Sequence, residues 1–128
     1  MGGRARLTLE NDERWPIDLV LELAAPLEVP VVFDAFHHEL APSREVLTVR
    51  EAALAARETW RTADGRQEVH FSTQEPGKRP GAHAKTIDEE AFLAFSEAVG
   101  DLPLDCILEI KDKERSVLRA REILGRSV

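Results

Sequence analysis

A single cysteine, Cys106, stands among the 128 residues, so no disulfide can form within the chain. It lies in the apolar run Cys106-Ile107-Leu108, which predicts a buried, inert thiol. Long apolar runs are missing too: stretches such as Val29 to Phe33, itself broken by Pro30, fall far short of the roughly 18 residues a membrane helix needs. The opening Met-Gly-Gly-Arg-Ala-Arg passes into an alternating segment without the apolar core of a signal peptide, which predicts a cytoplasmic protein and no membrane partner. Positive charge is scarce, with 17 Lys and Arg against 24 Asp and Glu and a net charge of −7. A surface of that sign does not attract nucleic acid everywhere, because phosphate binding relies on a positive field. The only basic concentrations are Lys78-Arg79, in a Pro/Gly loop, and Lys111 with Lys113. The nucleotide-binding fingerprint G-x-G-x-x-G is absent after the first strand-like segment.

What is present is a repeated order: a short β-type run ending in a polar residue, a loop, then a stretch of helical period. With 43% hydrophobic and 32% charged residues, this is the composition of one globular domain. The first strand is expected at Ala5 to Leu9, running on to Glu10, and a helix from about Pro16 with Ile17, Val20, Leu21, Ala24 and Leu27 on one stripe. The second strand, Val29 to Phe33, is nearly all apolar, as a parallel strand covered on both faces should be, and ends at Asp34. A second helix is expected from about Ser43, with the stripe Val46, Val49, Ala53, Ala56 and Trp60. The third strand, about Gln67 to Ser72, leads into the loop Gln74 to His83, too rich in Pro and Gly to form an element. Thr86-Ile87-Asp88-Glu89 has capping-box form ahead of a third helix with Ala91, Phe92, Phe95 and Val99. A fourth strand, Cys106 to Ile110, precedes a last helix with Val117, Ala120 and Leu124 inward. Four βα units in series predict an α/β fold with a parallel sheet and helices outside it. A whole (β/α)8 barrel of TIM type takes about 250 residues, so the length and unit count match half of one, with an open doubly wound sheet as the alternative.

The chemistry lies where the ligand-type residues fall. Glu10 ends the first strand, Asp34 ends the second with His37 and His38 just beyond, His70 is late in the third and Glu109 late in the fourth. Parallel strands put their C-terminal ends on one face, where these side chains, and His83 in the following loop, can converge. Singly, a strand-end carboxylate is often a helix cap or a solvated charge, and His37-His38 or His83 a polar loop residue. His70 and Glu109 are flanked by apolar residues, where an unpaired polar group is costly. Carboxylates and imidazoles on four successive strand ends, with no thiol nearby, form a hard to borderline donor set suited to Mn²⁺, Zn²⁺ or Mg²⁺.

At these residues the sequence resembles a known family. Leu9-Glu10-Asn11-Asp12, Val32-Phe33-Asp34 with His37-His38, His70-Phe71-Ser72 followed by the Pro-Gly-Lys-Arg loop and His83, and Leu108-Glu109-Ile110-Lys111-Asp112-Lys113-Glu114 are similar to successive motifs of UV damage endonucleases. The resemblance runs from Arg6 to the last helix. It implies an excision nuclease that nicks double-stranded DNA on the 5′ side of UV photoproducts, using three divalent metals, Mn²⁺ foremost, in a barrel related to the apurinic endonucleases and sugar isomerases. By that resemblance the catalytic set is Glu10, Asp34, His70 and Glu109. Glu10 bridges two metals, Asp34, His70 and Glu109 complete the second site, and His37 and His83 hold the third. Lys78, Arg79 and Lys111 are the expected contacts to DNA phosphates.

Two departures shape what is expected of this chain. Family members carry about as much chain again ahead of the residue matching Glu10, with the histidines of the first metal site. Residues 1–128 are therefore expected to be the C-terminal portion of the barrel, without its N-terminal half, unable to cut damaged DNA alone at an enzyme-like rate. Its open sheet edges invite that half or a second copy. The other departure is Glu68, where the family commonly has a lysine, carboxylated in some members; a glutamate supplies an anionic oxygen pair directly, so Glu68 is counted among the metal ligands. A sugar isomerase or epimerase on the same barrel, or an inactive fragment needing a partner half, are the rival readings.

Overall fold

The computed structural model describes residues 7–42 and 46–126. Four strands, β1 (Leu9–Glu10), β2 (Val31–Asp34), β3 (Gln67–Phe71) and β4 (Leu104–Leu108), form one sheet in sequential order, and each neighbouring pair is parallel. Among the described residues five α-helices accompany them: α1 (Ile17–Leu27), α2 (Ala35–Leu40), α3 (Val49–Arg57), α4 (Glu89–Val99) and α5 (Glu114–Gly125). The α/β class and the parallel sheet are as expected.

Register divides the sheet into two faces, because side chains alternate along each strand and partners in a ladder share a side. Leu9 pairs with Val31, Phe33 with Val69, and Phe71 with Leu108; this face packs on the helices. Ile17, Val20 and Ala24 of α1, Ala52, Ala53 and Ala56 of α3, and Phe92, Phe95 and Val99 of α4 bury their three- and four-residue stripes against it. Three alanines let α3 approach closely. The rings of Phe71 and Phe95, 4.9 Å between centroids, close the core between β3 and α4, each worth on the order of 1.5–3 kcal/mol of burial. Asp34, His70 and Ile107 pair across the other face, as do Glu10 with Val32 and Glu68 with Asp105.

The structure corrects several local expectations. Residues 5 and 6 of the first strand and Ser43 lie outside the described residues; within them β1 is two residues long. The second helix starts at Val49, capped by Thr48, whose hydroxyl accepts from Glu51 N while the Glu51 carboxylate accepts from Thr48 N. Val46 is exposed rather than on a helical stripe, and Trp60 falls past the helix, where its indole donates to Val31 O. Leu27, at the end of α1, is exposed, as are Val117 and Leu124 of α5, whose buried face is Ser116, Ala120 and Ile123. The cap of α4 is Asp88, which accepts from Ala91 N, so the box expected at Thr86 does not form. The fourth strand ends at Leu108, leaving Glu109 and Ile110 just beyond it. Cys106 is exposed, not buried: β4 is the sheet's edge, and the middle of the strand is uncovered.

Candidate metal centre

The C-terminal ends of the strands are tied together by two side chains that the sequence did not single out. Asn11, fully buried, accepts from Asp34 N at 2.8 Å and donates to Asp34 O at 2.9 Å, so one amide satisfies both backbone groups of the residue that ends β2. Ser72 does the equivalent for the other pair: its hydroxyl donates to Glu109 O at 2.8 Å, while Glu109 N donates to Phe71 O at 2.9 Å. Their signal in the sequence was position alone, one residue beyond Glu10 and two beyond His70.

Held this way, Glu10, Asp34, His70 and Glu109 each offer one ligand atom, all within 4.8 Å of one another. Bonds of about 2.0–2.2 Å to one ion need only a small inward movement. The expected convergence of the four strand ends is present. His70 Nδ1 sits 2.9 Å from Glu109 Oε1 and 3.0 Å from Glu10 Oε1, yet neither ring nitrogen makes an aligned hydrogen bond, and both are buried. A buried nitrogen without a partner, faced by carboxylate oxygens and with no Lys or Arg paired to them among the described residues, is an arrangement that could hold a divalent cation.

The crowding of these carboxylates and the imidazole shifts their proton affinities. Burial pushes the Asp34 carboxyl up to about 7, and its contact with Glu10 adds to the shift, although the His37 backbone N–H works against it. Burial would likewise raise Glu10, but the adjacent His70 and Asp34 outweigh it and hold Glu10 below its ordinary value. For His70, burial disfavours the imidazolium, but the carboxylates of Glu10, Glu109 and Glu68 push its pKa up to about 9.

The remaining site residues stand around this core. Asp34 also caps α2, accepting from His37 N at 2.8 Å, so the capping reading of this strand-end carboxylate holds at a residue that also joins the four-donor group. His37 and His38 belong to that helix, not to a loop. His37 Nδ1 is 3.4 Å from Asp34 and Nε2 is 3.6 Å from Glu13. His38 is turned away from the centre, with Nε2 2.9 Å from Leu47 O. His37 stacks on Phe36 and His83 meets the same ring edge-on, and neither histidine joins the four-atom group. Glu68 faces the side of His70, with Oε1 3.6 Å from Nε2. Lys78, Arg79, His83, Glu109, Lys111 and Lys113 border a cleft of about 870 Å³. Its loop is an ordered excursion: Gln74 donates to Arg79 O at 2.8 Å and accepts from Gly81 N at 2.9 Å, and Gly77 and Gly81 take the positive φ its turns require.

Comparison with known proteins places the chain and its fold. The chain is 33% identical to the UV DNA damage endonuclease of Clostridium perfringens over 91% of its own length and 28% of that protein's. It is 37% identical to the UV DNA damage endonuclease of Deinococcus radiodurans, over 92% of this chain and 38% of the other. The crystal structure of SacUVDE superposes with a TM-score of 0.84 at 36% identity, covering 94% of this chain and 39% of that one. The chain thus spans well under half the length of the relatives it matches. The profile of the UV-endonuclease UvdE family matches residues 3–126, and the chain belongs to that family.

Proposed function

We propose that residues 1–128 are the C-terminal half of a (β/α)8 barrel that hydrolyses the DNA phosphodiester on the 5′ side of UV photoproducts, with Mn²⁺, or Zn²⁺ or Mg²⁺, held by Glu10, Asp34, His70 and Glu109. The observation that carries this reading is the convergence of those four donors within 4.8 Å. A divalent ion there supplies Lewis acidity toward a phosphate oxygen and lowers the pKa of bound water. Asn11 and Ser72 fix the strand ends so that the donors need only a small inward movement when the ion binds. Lys78, Arg79 and Lys111 line the adjoining cleft and would position the DNA backbone, which explains how a chain of net charge −7 meets a polyanion. That basic cleft favours a phosphodiester over the sugar substrate of an isomerase. His37 and His83, gathered around Phe36, would serve a further ion together with donors from the other half of the barrel.

The test has two parts. Mass spectrometry of purified protein should find one divalent ion per chain, and none after Asp34→Ala. Plasmid nicking with excess Mn²⁺ should be lesion-dependent when the chain is co-expressed with the upstream half of a relative, and absent for the short chain alone. Robust lesion-dependent nicking by the short chain would overturn the view that the other half is needed.

A further inference from the structure

Glu68 lies beside the cluster but is not one of its four converging donors. Two residues before His70 on β3, it projects from the same face of the strand. The carboxylates of Glu10 and Glu109 crowd one ring nitrogen of His70, Nδ1, at 3.0 and 2.9 Å; Glu68 Oε1 approaches the other, Nε2, at 3.6 Å. A neutral imidazole has one lone pair and one N–H, so a ring that ligates through Nδ1 must carry its proton on Nε2. That proton then needs an acceptor, since Nε2 is buried and has no hydrogen-bond partner. Glu68 is one-third exposed, free enough to close the few tenths of an ångström to hydrogen-bond distance. Its ladder neighbour Asp105 pairs with Arg66 instead, leaving the Glu68 carboxylate to His70.

We infer that Glu68 is a positioning residue: it accepts the Nε2–H of His70 and so holds the ring in the tautomer that presents Nδ1 to the ion, rather than ligating the metal itself. A carboxylate behind a ligating histidine fixes ring orientation and raises ligand basicity, and removing such a partner costs about 10–100-fold in metal affinity. The inference rests on the metal reading above.

Zn²⁺, being diamagnetic, is the probe. Calorimetry would give its affinity for the wild type, Glu68→Ala and Glu68→Gln, and ¹⁵N spectra of the His70 ring would give the tautomer in the Zn²⁺-loaded proteins. Expected are a metal-bound Nδ1 and a slowly exchanging Nε2–H in the wild type, an affinity loss of about 10–100-fold with a fast-exchanging or mixed tautomer in Glu68→Ala, and recovery of most of both in Glu68→Gln, which keeps the accepting oxygen. The near-isosteric Glu68→Gln keeps the experiment decisive if the alanine variant folds poorly. Equal losses in both variants, with one oxygen fewer around zinc by X-ray absorption, would make Glu68 a direct ligand and overturn the inference. Unchanged affinity and tautomer in Glu68→Ala would overturn it as well, with the metal site left standing. A wild type that binds no Zn²⁺ would remove the metal reading, and this inference with it.

Discussion

Glu10, Asp34, His70 and Glu109 stand at strand ends or within one residue of them, whereas Lys78 and Arg79, across the neighbouring cleft, ride on a Pro- and Gly-rich loop. The acidic group is pinned by a parallel ladder and by Asn11 and Ser72, and its ring nitrogens are buried. The basic group meets solvent, and its loop is braced from within by Gln74 and by backbone bonds such as Glu75 N to Ala82 O and Ala82 N to Arg79 O. Glu109 borders both. On the proposed function the contrast has a reason: ligands to a small cation need fixed separations, while contacts to a phosphate chain tolerate movement and act through the field.

The largest expected effect lies on the rigid side. Glu109→Ala should weaken divalent-metal binding at least about 100-fold, the upper end of what even an outer partner of a ligand costs, as read by calorimetry. Retained affinity would mean that the convergence at the strand ends is incidental.

Asn11→Leu should come next, destabilising the fold by about 2–4 kcal/mol, because it strands the N–H and C=O of Asp34 in a buried site. Denaturant unfolding would measure it. A loss below about 0.5 kcal/mol would show that neighbouring groups or water replace the amide.

The acidic cluster should also impose opposite pH dependences with and without metal. Asp34, raised to about 7, and His70, raised to about 9, both bind protons more tightly in the folded state than an ordinary carboxyl at 3.8 or imidazole at 6.5 does in the unfolded chain. The folded state then holds the larger number of protons, so the stability of metal-free protein should fall as pH rises, first through the range of Asp34 and then through that of His70. Metal affinity should rise across the same range, because the ligands must give up those protons. Thermal melts from pH 5 to 10 with chelator and with Mn²⁺ would show the divergence; parallel curves would contradict it.

The smallest effects belong to the loop. Lys78→Ala and Arg79→Ala should each leave metal affinity unchanged and lower the salt dependence of DNA binding by about one phosphate contact, a change of about 0.9 in the log–log slope. Binding titrations at several salt concentrations, with the other half of the barrel present, would read it.

The legibility of the molecule followed the same division. Strands β2 and β3 were readable because Val31, Phe33, Val69 and Phe71 alternate with, or run into, polar residues at defined ends, and those ends named Asp34 and His70 as donors. Helix α2 was missed: its six residues are too few for a periodic stripe, and Asp34 looked like the end of a strand while also serving as the cap that starts the helix. Thr48 and Asp88 were passed over as caps because Ser43 and Thr86 offered the same chemistry a few residues earlier, and local pattern does not say which one the chain will turn at.

What the sequence by itself determined is the order of βα units, most of the apolar stripes of α1 and α4, and the placement of carboxylate and imidazole at or beside four successive strand ends, since all of these are periodicities and positions along one dimension. Only the tertiary structure decided which nitrogen of His70 faces Glu10 and Glu109, that Glu68 stands at the other, that Asn11 and Ser72 lock the strand ends, and that Cys106 is exposed at the sheet's edge. Ladder register and ring orientation are set by contacts between residues as far apart as Asn11 and Asp34 or Ser72 and Glu109, and no local propensity encodes those distances.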